Sequence, residues 1–175
     1  TRGLRDHPAF PALEVDPPRF GPAWKTYTTH ELEARYGPNW EMAASKAHDQ
    51  PFWALCHRRE FYDREDPDEP GHFLNYDLIY PNGYGEALSG GEREWQPDRI
   101  RDRISRDPIP AAALAAYLEI AHGLVSSAGG GLGIERLLRF LTRSPHVGDV
   151  QMFRRVPGEE GRAVNTSPSN PLRTS

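Results

Sequence analysis

The chain has 175 residues, 37% of them hydrophobic, and a formal net charge of −4 at pH 7. That length suits one domain or a large part of one, and the acidic balance argues against a protein that coats DNA through charge alone. No stretch approaches the ~18 consecutive apolar residues of a membrane span, nothing near Thr1 has the apolar run of a secretory leader, and the single cysteine, Cys56, rules out an internal disulfide or a cysteine-rich zinc site. A soluble, cytoplasmic protein that engages neither membrane nor DNA is therefore expected. Its cations are nearly all arginine, Lys25 and Lys46 being the only lysines, and the planar guanidinium suits carboxylates, phosphates and aromatic faces.

Residues 1–22 are proline-rich and aperiodic and read as an extended connecting segment. "TYTTHELEARYG" predicts a short helix opened by a capping box of Thr28 with Glu31 and stopped by Gly37. "NWEMAASKAH" predicts a second. "QPFWALCH" is an apolar run of strand length opened by Pro51, and "GHFLNYDLIYPNGYGEALSGG" predicts two strands joined at Pro81, Asn82 and Gly83. Alternation puts Asn75 and Asp77 on one face with Tyr76 and Leu78 on the other, and antiparallel pairing brings Glu86 near Asp77. "EWQPDRIRDRISRD" predicts a charged surface helix, and "AAALAAYLEIAHGL" spaces Leu114, Tyr117, Leu118, Ala121 and Leu124 as one helical face. In the helix that follows, Ile134, Leu137, Leu138 and Leu141 fall at i, i+3, i+4 and i+7, which commits that stripe to the core and turns Arg136 away from it. Residues 159–175 hold too few large apolar side chains to order and read as a disordered tail. Residues 23–158 read as an α+β unit, antiparallel strands with helices between and after them.

The glycine run ahead of the last helix, "GGGLGIERLLRFLTR", lets a ligand approach the backbone at a helix N-terminus, where an anion is favoured. It is neither G-x-G-x-x-G nor a P-loop. The alternative is a tight strand-to-helix corner with Glu135 paired to Arg139. The stretch resembles motif 3 of the class II aminoacyl-tRNA synthetases, and "PHVGDVQMFRRVPG" after it resembles the "NIRDVIPFPRxP" end of the asparaginyl and aspartyl enzymes. "REFYDRED" resembles the asparaginyl "KAFYM" segment, "NYDLIYPNGYGEALSGGERE" resembles "FDLLxPGxGEIxGGSxRE", and "AAYLEIAHGLVSSAGGGLG" resembles the helix that leads into motif 3. The matches run in order from about Gln50 to Gly158.

That resemblance implies a class II synthetase-type antiparallel sheet flanked by helices, present as the C-terminal part of a catalytic domain, since motifs 1 and 2 do not occur between Thr1 and Pro51. It implies ligase chemistry: an amino acid, asparagine or aspartate, is activated with ATP and Mg²⁺ and passed to tRNA by a protein that is homodimeric at full length. The implied catalytic residues are Arg136 and Glu86. Arg136 stacks on adenine and contacts the γ-phosphate, Gly131 and Gly133 admit the nucleotide, and Asp77 and Glu86 hold the metal against the phosphates. Arg93 grips the substrate's side chain, and Glu92 beside it disfavours an acidic one if it faces the pocket. Three departures, Gly91 where the family has serine with Ser89 two positions earlier, Glu92, and Gly148 for an arginine, keep open a paralogue that transfers the acyl group to ammonia or an amine, of the asparagine synthetase A type. A truncated, non-catalytic copy is the third reading.

Overall fold

The computed structural model describes residues 23–107 and 110–153. The proposed connecting segment 1–22, the tail 159–175 and the end of the catalytic segment from 154 to 158 lie outside the described residues.

Five strands form one sheet in chain order: β1 (Lys25–Thr28), β2 (Phe52–Leu55), β3 (Asn75–Tyr80), β4 (Gly85–Arg93) and β5 (Ser127–Leu132). β2 to β5 pair antiparallel, whereas β1 pairs parallel with β2. The expected antiparallel sheet is present in β2 to β5, and the parallel β1, which no sequence pattern announced, makes it mixed. Parallel neighbours require a crossover, and here it consists of two helices, α1 (Thr29–Tyr36) and α2 (Trp40–Ala47). α1 starts as the capping box requires: Thr28 Oγ1 accepts from the Glu31 N–H at 3.2 Å, and the Glu31 carboxylate accepts from the Thr28 N–H at 2.7 Å. Gly37 ends it at φ 84°, donating to Glu33 O.

Leu32, Trp40 and Ala44 of these helices pack on Phe52, Ala54 and Ile79, and all six are buried. α2 also fixes the β3–β4 hairpin through buried Ser45. Its hydroxyl donates to Tyr80 O at 2.6 Å and accepts from the Gly83 and Gly85 N–H groups at 3.1 Å each. The opposite face of the sheet holds Leu78, Tyr80 and Ala87, covered by Phe140 of α5 (Ile134–Thr142), whose ring stacks on Tyr80 at 4.1 Å.

A third cluster joins α3 (Pro97–Arg106) to α4 (Ala115–Ile120) through Ile100, Ile104 and Ala121, with Leu114, Tyr117, Leu118 and Leu124 against it. The predicted face is present, but 3₁₀ turns at Ala111–Leu114 and Ala121–Gly123 interrupt the predicted single helix. The stripe on α5 also differs from expectation. Phe140 is buried and Leu137 partly so, while Ile134 and Leu138 are 56% and 39% exposed. The reason is that α5 meets the sheet along its Leu137–Phe140 flank, which leaves Ile134 and Leu138 toward the surface.

Candidate active site

Register decides which side chains converge. Across β3 and β4, Asn75 faces Gly91, Asp77 faces Ser89 and Ile79 faces Glu86. These residues therefore share one face of the sheet, and Arg93, two residues beyond Gly91, continues it. On β5, Gly131 lies opposite Ser89 and Gly129 opposite Gly91.

Asp77 is buried, and both of its oxygens accept from Arg59 Nη1, at 2.7 and 2.9 Å. The same nitrogen donates to Ser89 Oγ at 2.9 Å. His57 Nε2 lies 3.2 Å from Asp77 Oδ2. Burial holds His57 below its ordinary range, with Asp77 opposing and Arg59 reinforcing the effect, so the ring is neutral at pH 7. Its Nε2–H has the Ala54 carbonyl as hydrogen-bond partner at 3.3 Å, and the ring lies beside Asp77 without adding charge.

Arg136, in the first turn of α5, reaches back to β4. Its Nη1 donates to Glu86 O at 2.9 Å and to Glu86 Oε1 at 3.1 Å. Arg136 and Glu86 are thus brought together, and Glu135 with Arg139 is not the pairing on this helix: the Arg139 guanidinium sits over the Tyr84 ring at 4.9 Å. Burial raises the Glu86 carboxyl above its ordinary value, and the Asp77 charge raises it further against the pull of Arg136. Gly131 has open space where a Cβ would stand. Gly133, by contrast, spends its N–H on Ala87 O at 3.1 Å, and a Cβ there would crowd the Arg136 side chain. It shapes the corner and keeps no backbone donor for a phosphate.

Arg93 donates to Asp63 Oδ1 at 2.9 Å, makes a longer contact of 3.4 Å with Gly129 O, and lies over the Tyr62 ring at 4.8 Å. Glu92 does not join it. Adjacent residues on a strand point to opposite faces, and Glu92 pairs with Arg64 at 2.9 Å on the far side. The expectation that Glu92 sets the charge of the pocket is corrected on that ground. Gly91 has its own explanation: a Cβ there would stand 2.6 Å from Asn75 Cβ, so this register excludes the serine that the resembling pattern carries.

Two residues of the site were not singled out from sequence, Arg59 and Asp63. Both lie in the irregular segment between β2 and β3, where no periodicity assigns a direction. The segment is held against β4 by Arg64 N–H to Glu92 O at 3.0 Å and Glu94 N–H to Tyr62 O at 2.8 Å. The available signal was the resemblance itself, since Arg59 and Asp63 stand where "KAFYM" has its lysine and methionine.

The residues fit a divalent cation delivered with a polyphosphate. Burial first and the Asp77 charge second disfavour the ionised form of Glu86, and a cation beside it would favour that form. Among the described residues no group of three or more histidine, cysteine or acidic side chains forms a cage. Two carboxylates with phosphate oxygens and water completing the shell is the arrangement Mg²⁺ favours.

A mostly antiparallel sheet with paired acids and arginines on one face is the architecture of a class II synthetase catalytic domain. The chain matches the family model of class II tRNA synthetases (D, K and N) over residues 19–157 and belongs to that family. It is 33% identical over 125 residues to the asparagine–tRNA ligase of Pyrococcus abyssi, covering 69% of this chain and 29% of that protein. The corresponding ligase of Thermoplasma acidophilum is 29% identical over 142 residues, covering 77% and 32%. Among solved structures, the asparaginyl-tRNA synthetase of Pyrococcus horikoshii superposes with a TM-score of 0.66 at 28% identity, over 79% of this chain and 37% of that one. The Entamoeba histolytica enzyme with asparaginyl-adenylate reaches 0.68 at 20% identity, over 89% and 38%, a likeness of fold. The chain spans about a third of the length of the relatives it matches. No helix among the described residues is long and apolar enough to cross a membrane.

Proposed function

We propose that this chain supplies the metal, nucleotide and amino-acid side-chain contacts of an aminoacyl-tRNA ligase of the asparaginyl/aspartyl type, which activates its amino acid as an adenylate before transfer to tRNA. The observation that carries the reading is the convergence of Asp77, Glu86 and Arg93 on one face of the sheet, with Arg136 held at its border by Glu86. In the reaction, a carboxylate oxygen of the amino acid attacks the α-phosphorus of ATP and pyrophosphate leaves, so the demand is for positioning and charge stabilisation rather than a protein nucleophile. Arg136 presents a flat cation to the base and to the outer phosphate, preoriented by two hydrogen bonds to Glu86. Gly131 gives the nucleotide close access to β5. Asp77 and Glu86 would hold Mg²⁺, which supplies neutralisation of phosphate charge. Arg93 receives the side chain of the amino acid.

The full-length protein works as a homodimer in the cytoplasm, and the remaining contacts to ATP and tRNA come from parts of the protein outside this chain. Exchange of labelled pyrophosphate into ATP, dependent on asparagine or aspartate, tests the activation step. It is expected with the protein that carries this chain and expected to be lost with Asp77→Asn or Glu86→Gln. Amino-acid-independent behaviour, or no exchange by a folded protein with or without tRNA, refutes the reading.

A further inference from the structure

We propose that Asp63 determines the side-chain specificity of the site by neutralising Arg93, so that the pocket accepts a neutral carboxamide and rejects a carboxylate. This rests on Arg93 as the group that receives the substrate's side chain.

The Asp63 side chain is only 2% exposed, while that of Arg93 is 34% exposed and borders the open face. Asp63 Oδ1 accepts from Arg93 Nη1 at 2.9 Å, and Oδ2 accepts from Asn75 Nδ2 at 2.8 Å. Asn75 is itself fixed, its side chain bonded to His57 N and O at 2.7 Å each. Arg59 Nε lies 3.8 Å from Asp63, but Arg59 Nη1 is committed to Asp77 and Ser89. The charges of the pocket thus close among themselves, Arg93 with Asp63 and Arg59 with Asp77. Glu92 and Arg64 pair on the other face.

An incoming carboxylate therefore finds no uncompensated cation among the described residues of the pocket. Drawing Arg93 away would strand a buried carboxylate, and leaving it in place sets two anions on one guanidinium; both are strongly unfavourable. A carboxamide meets neither difficulty. Its oxygen accepts from an unused Arg93 N–H, and its NH₂ donates to Gly129 O, whose present bond from Arg93 is long at 3.4 Å. A site built to donate and accept in this way discriminates steeply against a partner that leaves its groups unpaired.

The test compares asparagine and aspartate in pyrophosphate exchange by the protein that carries this chain, wild type and Asp63→Asn. Wild type is expected to favour asparagine over aspartate in kcat/KM by on the order of 100-fold or more. In Asp63→Asn, KM for aspartate is expected to fall and KM for asparagine to rise, with kcat changing less, a split that a general loss of packing does not produce. Binding of the sulfamoyl analogues of asparaginyl- and aspartyl-adenylate to wild type gives the same comparison without a variant that must fold. Equal binding of the two analogues by wild type, or an unchanged asparagine to aspartate ratio in folded Asp63→Asn, overturns the proposal. No exchange with any amino acid and no binding of either analogue overturns the functional reading beneath it instead.

Discussion

The two ends of the sheet are finished differently. At the β1–β2 end, α1 and α2 close over Phe52, Ala54 and Ile79, and Leu32 at their centre is 1% exposed. At the β5 end, Leu132 is 45% exposed and Ile134 56%, and α5 covers the sheet along one flank only. The charged face lies between them, its acids and arginines paired on the closed side around Asp77 and Asp63 and increasingly open toward Gly131 and Arg136. Stability is therefore concentrated at one end, while the groups read as nucleotide contacts sit at the other, where less packing constrains them.

The sharpest way to break that contrast is a truncation at each end. Leu32→Ala is expected to cost about 2–5 kcal/mol, because the cavity it leaves is enclosed on all sides, whereas Ile134→Ala stays within about 0.5 kcal/mol; urea unfolding of the two variants checks it. Ser45→Ala is next, at about 1–3 kcal/mol, since it removes the partner of two backbone N–H groups in the hairpin turn. Gly91→Ser probes the centre of the sheet, where the added atoms meet Asn75. It is expected to lower stability by about 1–3 kcal/mol and to disturb amide recognition through Asn75 and Asp63.

A smaller effect separates fold from function at the open end. Arg136→Ala is expected to leave the melting temperature nearly unchanged, because the side chain is about half exposed, yet to raise KM for ATP or lower kcat in pyrophosphate exchange.

The pH dependence of stability reports on the closed side. His57 has its folded value below the ordinary 6.5, so the unfolded chain takes up its proton first as pH falls. Stability contributed by the neutral ring is present above that ordinary value and declines as pH falls through the window down to the folded one. His57→Gln is expected to flatten this part of the profile, measured by denaturant unfolding between pH 7 and the acid transition. Glu86 is shifted the other way, upward, and its carboxyl must lose its proton to hold a cation, so Mg²⁺-dependent ATP binding is expected to fade on acidification earlier than for an ordinary carboxylate.

Much of the fold was legible because it is encoded locally. The α1 capping box, the Pro81–Gly83 turn and the alternation of Asn75 and Asp77 with Tyr76 depend on residues a few positions apart. The four-residue β1 was not, since "KTYT" has no pattern of its own and becomes a strand only by pairing with β2, more than twenty residues on. Within the site, Asp77, Glu86, Arg93 and Arg136 were singled out beforehand. For Glu92 the condition was that it face the pocket, and strand alternation next to Arg93 together with its pairing to Arg64 puts it on the other face. Asp63 and Arg59 were passed over, their orientation being set by an irregular segment clamped to β4.

By itself, then, the sequence determined the elements, their amphipathic faces and the family signature, all of which rest on short-range spacing. Tertiary structure alone decided which charges neutralise which: Asp63 with Arg93, Asp77 with Arg59 and Glu86 with Arg136 lie 30, 18 and 50 residues apart. Such pairings depend on register, burial and the path of a loop, and no local preference of the chain specifies them.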